Sequence, residues 1–220
     1  YVKLRPSLMF CMTADKERPC TSFAVTSAKP SEGKSLTAAN IAISYAMLGK
    51  KVLLIDADMR KPTQRRLWRV EKPTGLCGFL AKISKLELDK VKDLPLWIVC
   101  TGTIPPNPSE LLSSERMKHF VEESAKVYDY IIIDTPPINT VADAQIVSTY
   151  VDGVVLVVKS GDTTEDELNE AIDAVRRAGG NLCGTVLNDL NMKSVKYAYK
   201  YKYGGKYGYK YSYSESYEAR

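Results

Sequence analysis

The 220-residue sequence predicts an α/β protein with a doubly wound, mostly parallel sheet, followed by a disordered C-terminal tail. Two observations predict the sheet. Several short runs are almost entirely apolar, as in strands buried on both faces, and these runs alternate with helical segments. A change of composition near residue 193 predicts the tail. We therefore expect one folded domain over residues 1–192 and a flexible segment over residues 193–220.

The predicted elements follow one another in a regular order. Strands are expected at 21–26, 51–56, 96–100, 130–134, 153–159 and 182–187. Helices are expected at 35–48, from Asn107 through Val121 with Asn107 as the N-cap, and at 163–177. Because ligands of such sheets bind at the carboxyl ends of the strands, the chemistry is expected in the loops that follow residues 26, 56 and 134.

A phosphate-binding loop follows the first predicted strand. The segment Ala28-Lys29-Pro30-Ser31-Glu32-Gly33-Lys34-Ser35 matches the phosphate-loop pattern, except that alanine replaces the first glycine. In this motif backbone N–H groups surround the β-phosphate, the lysine bridges the β- and γ-phosphates, and the serine hydroxyl binds Mg²⁺. The sequence therefore predicts a P-loop NTPase fold, with an ATP site formed by this loop and Leu36. Lys34 would be catalytic and Ser35 a magnesium ligand.

Lys29 has two interpretations. It stands where deviant members of the P-loop superfamily have an additional lysine, but the neighbouring Pro30 departs from their glycine-rich form. A solvated surface lysine is the alternative.

Acidic residues end two other predicted strands. Asp134 ends the apolar run from Tyr130 and is the expected magnesium carboxylate of a Walker B strand. Asp56 and Asp58 follow the strand after the first helix, and ordinary P-loop proteins do not require such a pair. One carboxylate could accept a proton from an attacking hydroxyl while the other holds the metal. Alternatively, Asp58 has only a structural role in a turn.

Nine of the 14 tyrosines lie close together at the end of the chain. They are Tyr197, Tyr199, Tyr201, Tyr203, Tyr207, Tyr209, Tyr211, Tyr213 and Tyr217. Lys, Gly and Ser separate them and apolar residues are scarce, so this segment cannot bury a core. Its seven basic and two acidic side chains give +5, which equals the net charge of the chain. The domain is thus neutral, and no specific nucleic-acid partner is expected.

These features together resemble the cytoplasmic domain of bacterial tyrosine kinases. The resemblance rests on the phosphate loop, Asp56-Ala57-Asp58-Met59-Arg60, Asp134-Thr135-Pro136-Pro137 and the tyrosine-rich tail. It implies an ATP-dependent kinase that phosphorylates its tail tyrosines between subunits. It also implies that Asp56 is the base, and that Ser35, Asp58 and Asp134 hold Mg²⁺ directly or through water. Asn188 resembles the residue that contacts adenine in the wider superfamily, with a simple turn asparagine as the alternative.

The resemblance also implies a cellular setting. The family serves capsular and extracellular polysaccharide synthesis and export, with a transmembrane activator or adaptor and a cognate tyrosine phosphatase. A ring-shaped homo-oligomer is implied as well, and Arg5 fits the Glu-x-x-Arg-x-x-Arg helix that mediates ring formation, although Val2 stands at its middle arginine position. No apolar run approaches the ~20 residues that span a bilayer, so the expected location is cytoplasmic, at the inner face of the membrane through the activator.

Two other functions remain compatible with these motifs. A P-loop ATPase of the partition or division-site positioning kind would explain the domain but would leave the tyrosines without a role. A nucleotide-switched scaffold of the export machinery would use the tail for docking. Production of phosphotyrosine distinguishes the kinase from both.

Overall fold

The structure is a computed structural model that describes residues 4–10, 20–72 and 74–190. In chain order, these residues form α1 (Leu4–Phe10), β1 (Thr21–Ser27), α2 (Lys34–Ala46), β2 (Val52–Asp56), α3 (Gln64–Trp68), α4 (Leu76–Leu80), β3 (Asp89–Lys90), β4 (Leu96–Val99), α5 (Pro108–Ser113), α6 (Glu115–Ala125), β5 (Tyr130–Asp134), α7 (Asp143–Ser148), β6 (Gly153–Lys159), α8 (Glu165–Arg177) and β7 (Leu182–Asn188).

The strands form a seven-stranded sheet in the order β3-β4-β2-β5-β1-β6-β7 within the described residues. The short β3 is antiparallel to β4, and the other neighbours are parallel. This confirms the predicted doubly wound, mostly parallel sheet. In the register of β2 and β5, Asp56 is the partner of Asp134. Two carboxylates therefore end neighbouring strands, and β1, on the other side of β5, leads into the phosphate loop.

Each central strand contributes to two separate cores because successive side chains point to opposite faces. Leu53, Ile131 and Ile133 belong to one core cluster, whereas Leu54 and Ile132 belong to the other. All five side chains are fully buried. Burial on both faces explains why the strand sequences lack polar alternation.

The prediction of a single helix from Asn107 is wrong in one respect, because the segment forms two helices, α5 and α6. Ser114 interrupts it with an extended backbone (φ −65°, ψ 146°), and its hydroxyl accepts the N–H of Met117 as the cap of α6. Asn107 occupies the N-cap position of α5 without capping a backbone N–H; its amide instead donates to Glu110 at 2.6 Å. The other predicted boundaries agree within two residues, and those of β5 and β6 agree fully.

Two predictions fall outside the described part of the chain. The domain's last strand ends at Asn188, and residues 191–220, which carry the nine tail tyrosines, are not described. The boundary at residue 192 and the phosphorylated tail therefore stay predictions. Among the described residues, none of the helices has both the length and the apolar character required to cross a bilayer.

Candidate active site

The phosphate loop connects β1 to α2 and depends on one glycine. Gly33 has φ +88°, a conformation that L side chains rarely adopt. A Cβ atom at this position would also lie 2.2 Å from Nδ2 of Asn188. Both the backbone angle and the neighbouring amide therefore require glycine here. Ser31 also has a positive φ, and the hydroxyl of Ser27 donates to the carbonyl of Lys29 at 2.8 Å.

A cavity of about 480 Å³ opens beside this loop at the carboxyl end of the sheet. Of the predicted nucleotide-binding residues, six line it, namely Pro30, Ser31, Gly33, Lys34, Ser35 and Leu36. The opposite side comes from the segment after β2, including Asp58, Arg60 and Arg66, and from Pro136 and Pro137 after β5. The cavity thus lies between the phosphate loop and the segments that follow both acidic strand ends.

Lys29 points away from this cavity. Its amine lies 3.1 Å from a carboxylate oxygen of Glu167 and donates to the carbonyl of Asp162 at 2.9 Å. The hydrogen bond to Glu167 is the main cause that raises the pKa of Lys29. Within this chain the lysine therefore attaches the phosphate loop to the start of α8.

Three other predicted binding residues support the loop from behind. Ala28 is fully buried, and the Glu32 carboxylate accepts the N–H of Lys29 and the hydroxyl of Thr163. The Asn188 amide donates to the carbonyl of Glu32 at 3.0 Å. None of these three residues is among those that line the cavity. Asn188 is therefore more than a turn residue, because it holds the phosphate loop in place.

Lys34 and Asp58 form an ion pair on the cavity wall. Nζ of Lys34 lies 2.7 Å from Oδ2 of Asp58 and 3.7 Å from Oδ1 of Asp134. Burial opposes the charged amine, but Asp134 and Asp58 outweigh it, so the pKa of Lys34 is raised. The other oxygen of Asp58 accepts the N–H of Lys61 at 2.9 Å. Lys34 is thus fully charged at neutral pH, as a phosphate-binding lysine must be.

Asp56 and Asp134 lie behind this pair with no exposed surface. Each accepts a hydrogen bond through Oδ2, while each Oδ1 is buried and has no hydrogen-bond partner in the described structure. Burial first, and then the charge of Asp134, raises the pKa of Asp56 well above its usual range. Burial also raises the pKa of Asp134, although Lys34 and the hydrogen bond from Gln64 oppose this. A cation bound nearby would offset the repulsion between these two carboxylates and favour their ionised forms.

The donor atoms fit a magnesium ion of the kind found in phosphoryl-transfer sites. The described residues contain no cluster of three or more His, Cys, Asp or Glu side chains that would enclose a metal without substrate. Mg²⁺ instead commonly uses one or two carboxylates together with water and substrate phosphates. The Ser35 hydroxyl and the two unpartnered carboxylate oxygens supply such a partial set.

Comparisons with known proteins agree on the family. Residues 20–214 match the ParA family, described as NUBPL iron-transfer P-loop NTPase. The tyrosine-protein kinase YwqD of Bacillus subtilis is 43% identical over 202 residues, which are 90% of this chain and 84% of YwqD. The putative tyrosine-protein kinase CapB of Staphylococcus aureus is 38% identical over 89% of this chain and 86% of CapB. The chain belongs to the bacterial tyrosine kinases.

A solved structure from the same family supports the assignment. The kinase domain of the Escherichia coli tyrosine kinase Etk superimposes with a TM-score of 0.80 and is 31% identical, covering 97% of this chain and 78% of that domain. The predicted enzyme class, a protein-tyrosine kinase, is confirmed, and the partition-type ATPase is not favoured. The P-loop fold of this bacterial tyrosine kinase makes it a nucleotide-binding protein.

The sequence did not predict two residues that organise the kinase site. Gln64 bonds to both buried aspartates. Arg60 donates to the fully buried Asp143 through Nε at 2.8 Å and Nη2 at 3.1 Å, and the Ser109 hydroxyl donates to the same carboxylate at 2.6 Å. Arg60 was visible in the motif, but its partners lie 83 and 49 positions away. No local spacing could have indicated them.

Proposed function

We propose that this kinase transfers the γ-phosphoryl group of ATP to tyrosines of its own tail, with one subunit acting on another. The observation that carries the proposal is the Lys34–Asp58 pair at 2.7 Å on the wall of the phosphate-loop cavity. An amine that binds phosphate and a carboxylate that accepts a proton stand side by side. A tyrosine kinase needs such a base to accept the proton of the attacking phenol.

The proposed reaction is an in-line displacement. The phenolic oxygen of a tyrosine attacks the γ-phosphorus, the bond from that phosphorus to the β,γ-bridging oxygen breaks, and ADP leaves. Lys34 and the loop N–H groups stabilise the charge on the transferred group. A tyrosine hydroxyl has a pKa near 10, so a carboxylate takes its proton only as the new bond forms. Mg²⁺, when bound, neutralises phosphate charge.

The geometry favours a division of roles between the aspartates that differs from the one implied by the resemblance. Asp58 lines the cavity, whereas Asp56 lies behind it, side by side with Asp134. We therefore assign the proton-accepting role to Asp58. Asp56, Asp134 and Ser35 would hold Mg²⁺ directly or through water.

The tail supplies both substrate and signal in this proposal. It carries a net charge of +5, and each phosphate adds about −1.5 to −2 charges. About three to four phosphotyrosines are therefore enough to reverse the charge of the tail. We propose that this change regulates a homo-oligomeric assembly involved in capsular or extracellular polysaccharide synthesis and export.

The proposed assembly lies at the inner face of the membrane. A transmembrane activator would hold it there, and a cognate tyrosine phosphatase would reset it. Arg5, the predicted ring residue, donates to the carbonyl of Ser44 at 2.7 Å. This contact attaches α1 to α2 in the same subunit, which orients the helix that the ring would use.

Peptide mass spectrometry of the tail after incubation with ATP and Mg²⁺ tests the proposal. The wild-type chain should acquire phosphotyrosine between Tyr197 and Tyr217, and Lys34→Met should lose it. Lys118→Met is the matched control, because Lys118 is a helix-surface lysine paired only with Glu115 at 2.7 Å among the described contacts. Phosphotyrosine that persists in Lys34→Met, or that never forms even with the activator's cytoplasmic segment, would contradict the proposal.

A further inference from the structure

Gln64 is a buried polar side chain that the proposed reaction does not yet use. It begins α3, has no exposed surface, and lies beneath the cavity beside both strand-end aspartates. Its backbone N–H donates to Oδ2 of Asp56 at 3.0 Å. Its side-chain Nε2 donates to Oδ2 of Asp134 and to the carbonyl of Ser35, each at 2.9 Å. One residue thus contacts both acidic strand ends and the phosphate loop.

The hydrogen bonds fix the orientation of this amide. Nε2 carries two hydrogens, and both have acceptors, Asp134 and the Ser35 carbonyl. Oε1 accepts the indole N–H of Trp68 at 3.0 Å. Because indole N–H can only donate, and a carbonyl and a carboxylate can only accept, a rotated amide would oppose like groups at three contacts. The Gln64 amide is therefore held in one orientation by Asp134, the Ser35 carbonyl and Trp68.

Gln64 also determines which carboxylate oxygens are available. It binds Oδ2 of both Asp56 and Asp134. The two Oδ1 atoms are then buried without a hydrogen-bond partner, and a buried acceptor left in this way is unfavourable. Lys34 lies 3.7 Å from one of them, too far for a hydrogen bond. The arrangement is one in which a ligand would satisfy both oxygens.

We propose that Gln64 is a positioning residue for magnesium, which holds Oδ2 of Asp134 so that Oδ1 is presented to the metal or its water. The inference rests on the proposed function of Asp134. Partners of this kind orient metal-binding carboxylates, and their loss typically lowers metal affinity about 10- to 100-fold. A neutral amide suits this role, because a cationic residue at position 64 would repel the metal it helps to hold.

A purely structural role for Gln64 makes a different prediction. If the residue only started α3 and filled space, its replacement would lower the stability of the fold. Nucleotide affinity would then change equally with and without Mg²⁺. The decisive quantity is therefore the ratio of ADP dissociation constants measured in EDTA and in Mg²⁺, which a uniform loss of stability does not alter.

The experiment measures that ratio by calorimetry for wild type, Gln64→Met and Gln64→Leu. Methionine retains the length and apolar character of the stem but removes both donors. Leucine also lacks both donors but has a different shape, so a loss common to both variants reports on the missing hydrogen bonds. Gln145→Met on α7 is the matched control. Its side chain is half-buried, makes no side-chain hydrogen bond within the described part of the chain, and does not line the cavity.

A second readout uses the indole of Trp68. In a Trp97→Phe background Trp68 is the sole tryptophan. Its emission reports on the hydrogen bond to Gln64. Addition of Mg²⁺ to the ADP-loaded protein should change this emission when Gln64 is present and leave it unchanged in Gln64→Met. This signal requires no catalytic turnover.

We expect Mg²⁺ to strengthen ADP binding in wild type and in Gln145→Met. In both Gln64 variants the ratio of the ADP dissociation constants in EDTA and in Mg²⁺ should be lower by about tenfold or more. ADP affinity in EDTA should be nearly equal in all four proteins. An unchanged ratio in the Gln64 variants would overturn the inference. A wild-type ADP affinity that does not depend on Mg²⁺ would overturn it as well. If wild type shows the ratio but its tail acquires no phosphotyrosine, the proposed function fails and the role of Gln64 stands.

Discussion

The two layers of the active site hold their charges in different ways. The cavity layer, formed by Lys34, Asp58 and Arg60, contains opposite charges in direct contact at the edge of an open space. The buried layer, formed by Asp56, Asp134 and Gln64, places two carboxyl groups side by side on neighbouring strands and binds them through uncharged N–H groups of Gln64. Groups in the cavity layer can exchange partners with a ligand. The carboxyl groups of the buried layer are held in place, and each has one oxygen available to a cation.

Paired substitutions of the two aspartates test this comparison with the largest expected effect. Asp58→Asn should lower kcat about 10²- to 10⁴-fold, the range for loss of a general base, with little change in the KM for ATP. Asp56→Asn should instead raise the Mg²⁺ concentration needed for half-maximal rate about tenfold. Steady-state kinetics across a Mg²⁺ series measure both. A greater kcat loss in Asp56→Asn, without a change in Mg²⁺ requirement, would return the base role to Asp56.

Two glycines that flank α2 provide a matched test of the phosphate loop. Gly33 and Gly49 both have positive φ, +88° and +77°, but only Gly33 faces a neighbour at 2.2 Å, whereas Gly49 has open space. Gly49→Ala should destabilise the fold by about 1 kcal/mol through backbone strain and leave nucleotide affinity unchanged. Gly33→Ala should also weaken ADP binding at least about tenfold, because Asn188 and the loop must move. Equal ADP affinities in both variants would contradict this distinction.

The buried layer should make the protein less stable as pH rises. The pKa of Asp56 is raised above its usual 3.8 in the folded chain, so the folded state binds this proton more tightly than the unfolded state. Its contribution to stability is therefore lost as pH rises from about 4 through the raised value. Asp56→Asn should increase the free energy of unfolding at pH 7 by about 1 kcal/mol and weaken the pH dependence.

Urea denaturation between pH 4 and 8 measures this effect. Asp173→Asn is the control, because Asp173 is an exposed helix carboxylate 3.7 Å from Arg176, and an exposed ion pair of this kind contributes little to stability. A wild type and an Asp56→Asn variant with parallel pH profiles would show that Asp56 is not held with a raised pKa.

The smallest effect is expected at Lys29, outside both layers. Because its amine is engaged by Glu167 and Asp162, Lys29→Met should change ADP affinity and autophosphorylation less than about threefold. Titration calorimetry and phosphotyrosine mass spectrometry, with Lys34→Met as the contrasting variant, check this. A loss comparable to that of Lys34→Met would mean that Lys29 reaches a nucleotide after all.

The two layers also differ in how much of them could be predicted from the sequence. The apolar runs specify their strands because burial on both faces leaves no other pattern, and Gly33-Lys34-Ser35 specifies a phosphate loop because its chemistry is local. Gln64 carries no comparable signal, because a single glutamine in a short helix has no periodicity. Its significance arises only when β2 and β5 align two aspartates above it.

Long-range pairing explains the remaining omissions. The Arg60–Asp143 contact joins residues 83 positions apart, and the break at Ser114 depends on a hydroxyl that competes locally for a helix N–H. Apolar periodicity extends across that break through Met117, so it predicts one helix where there are two.

The contact between Lys34 and Asp58 has a consequence for the order of events. If a bound phosphate draws the Lys34 amine away from Asp58, the same movement leaves the carboxylate free to accept a proton. Binding of the phosphoryl donor and activation of the base would then occur in one exchange of partners by Lys34. Asp58 would therefore remain neutralised by Lys34, and inactive as a base, until a phosphoryl donor has bound.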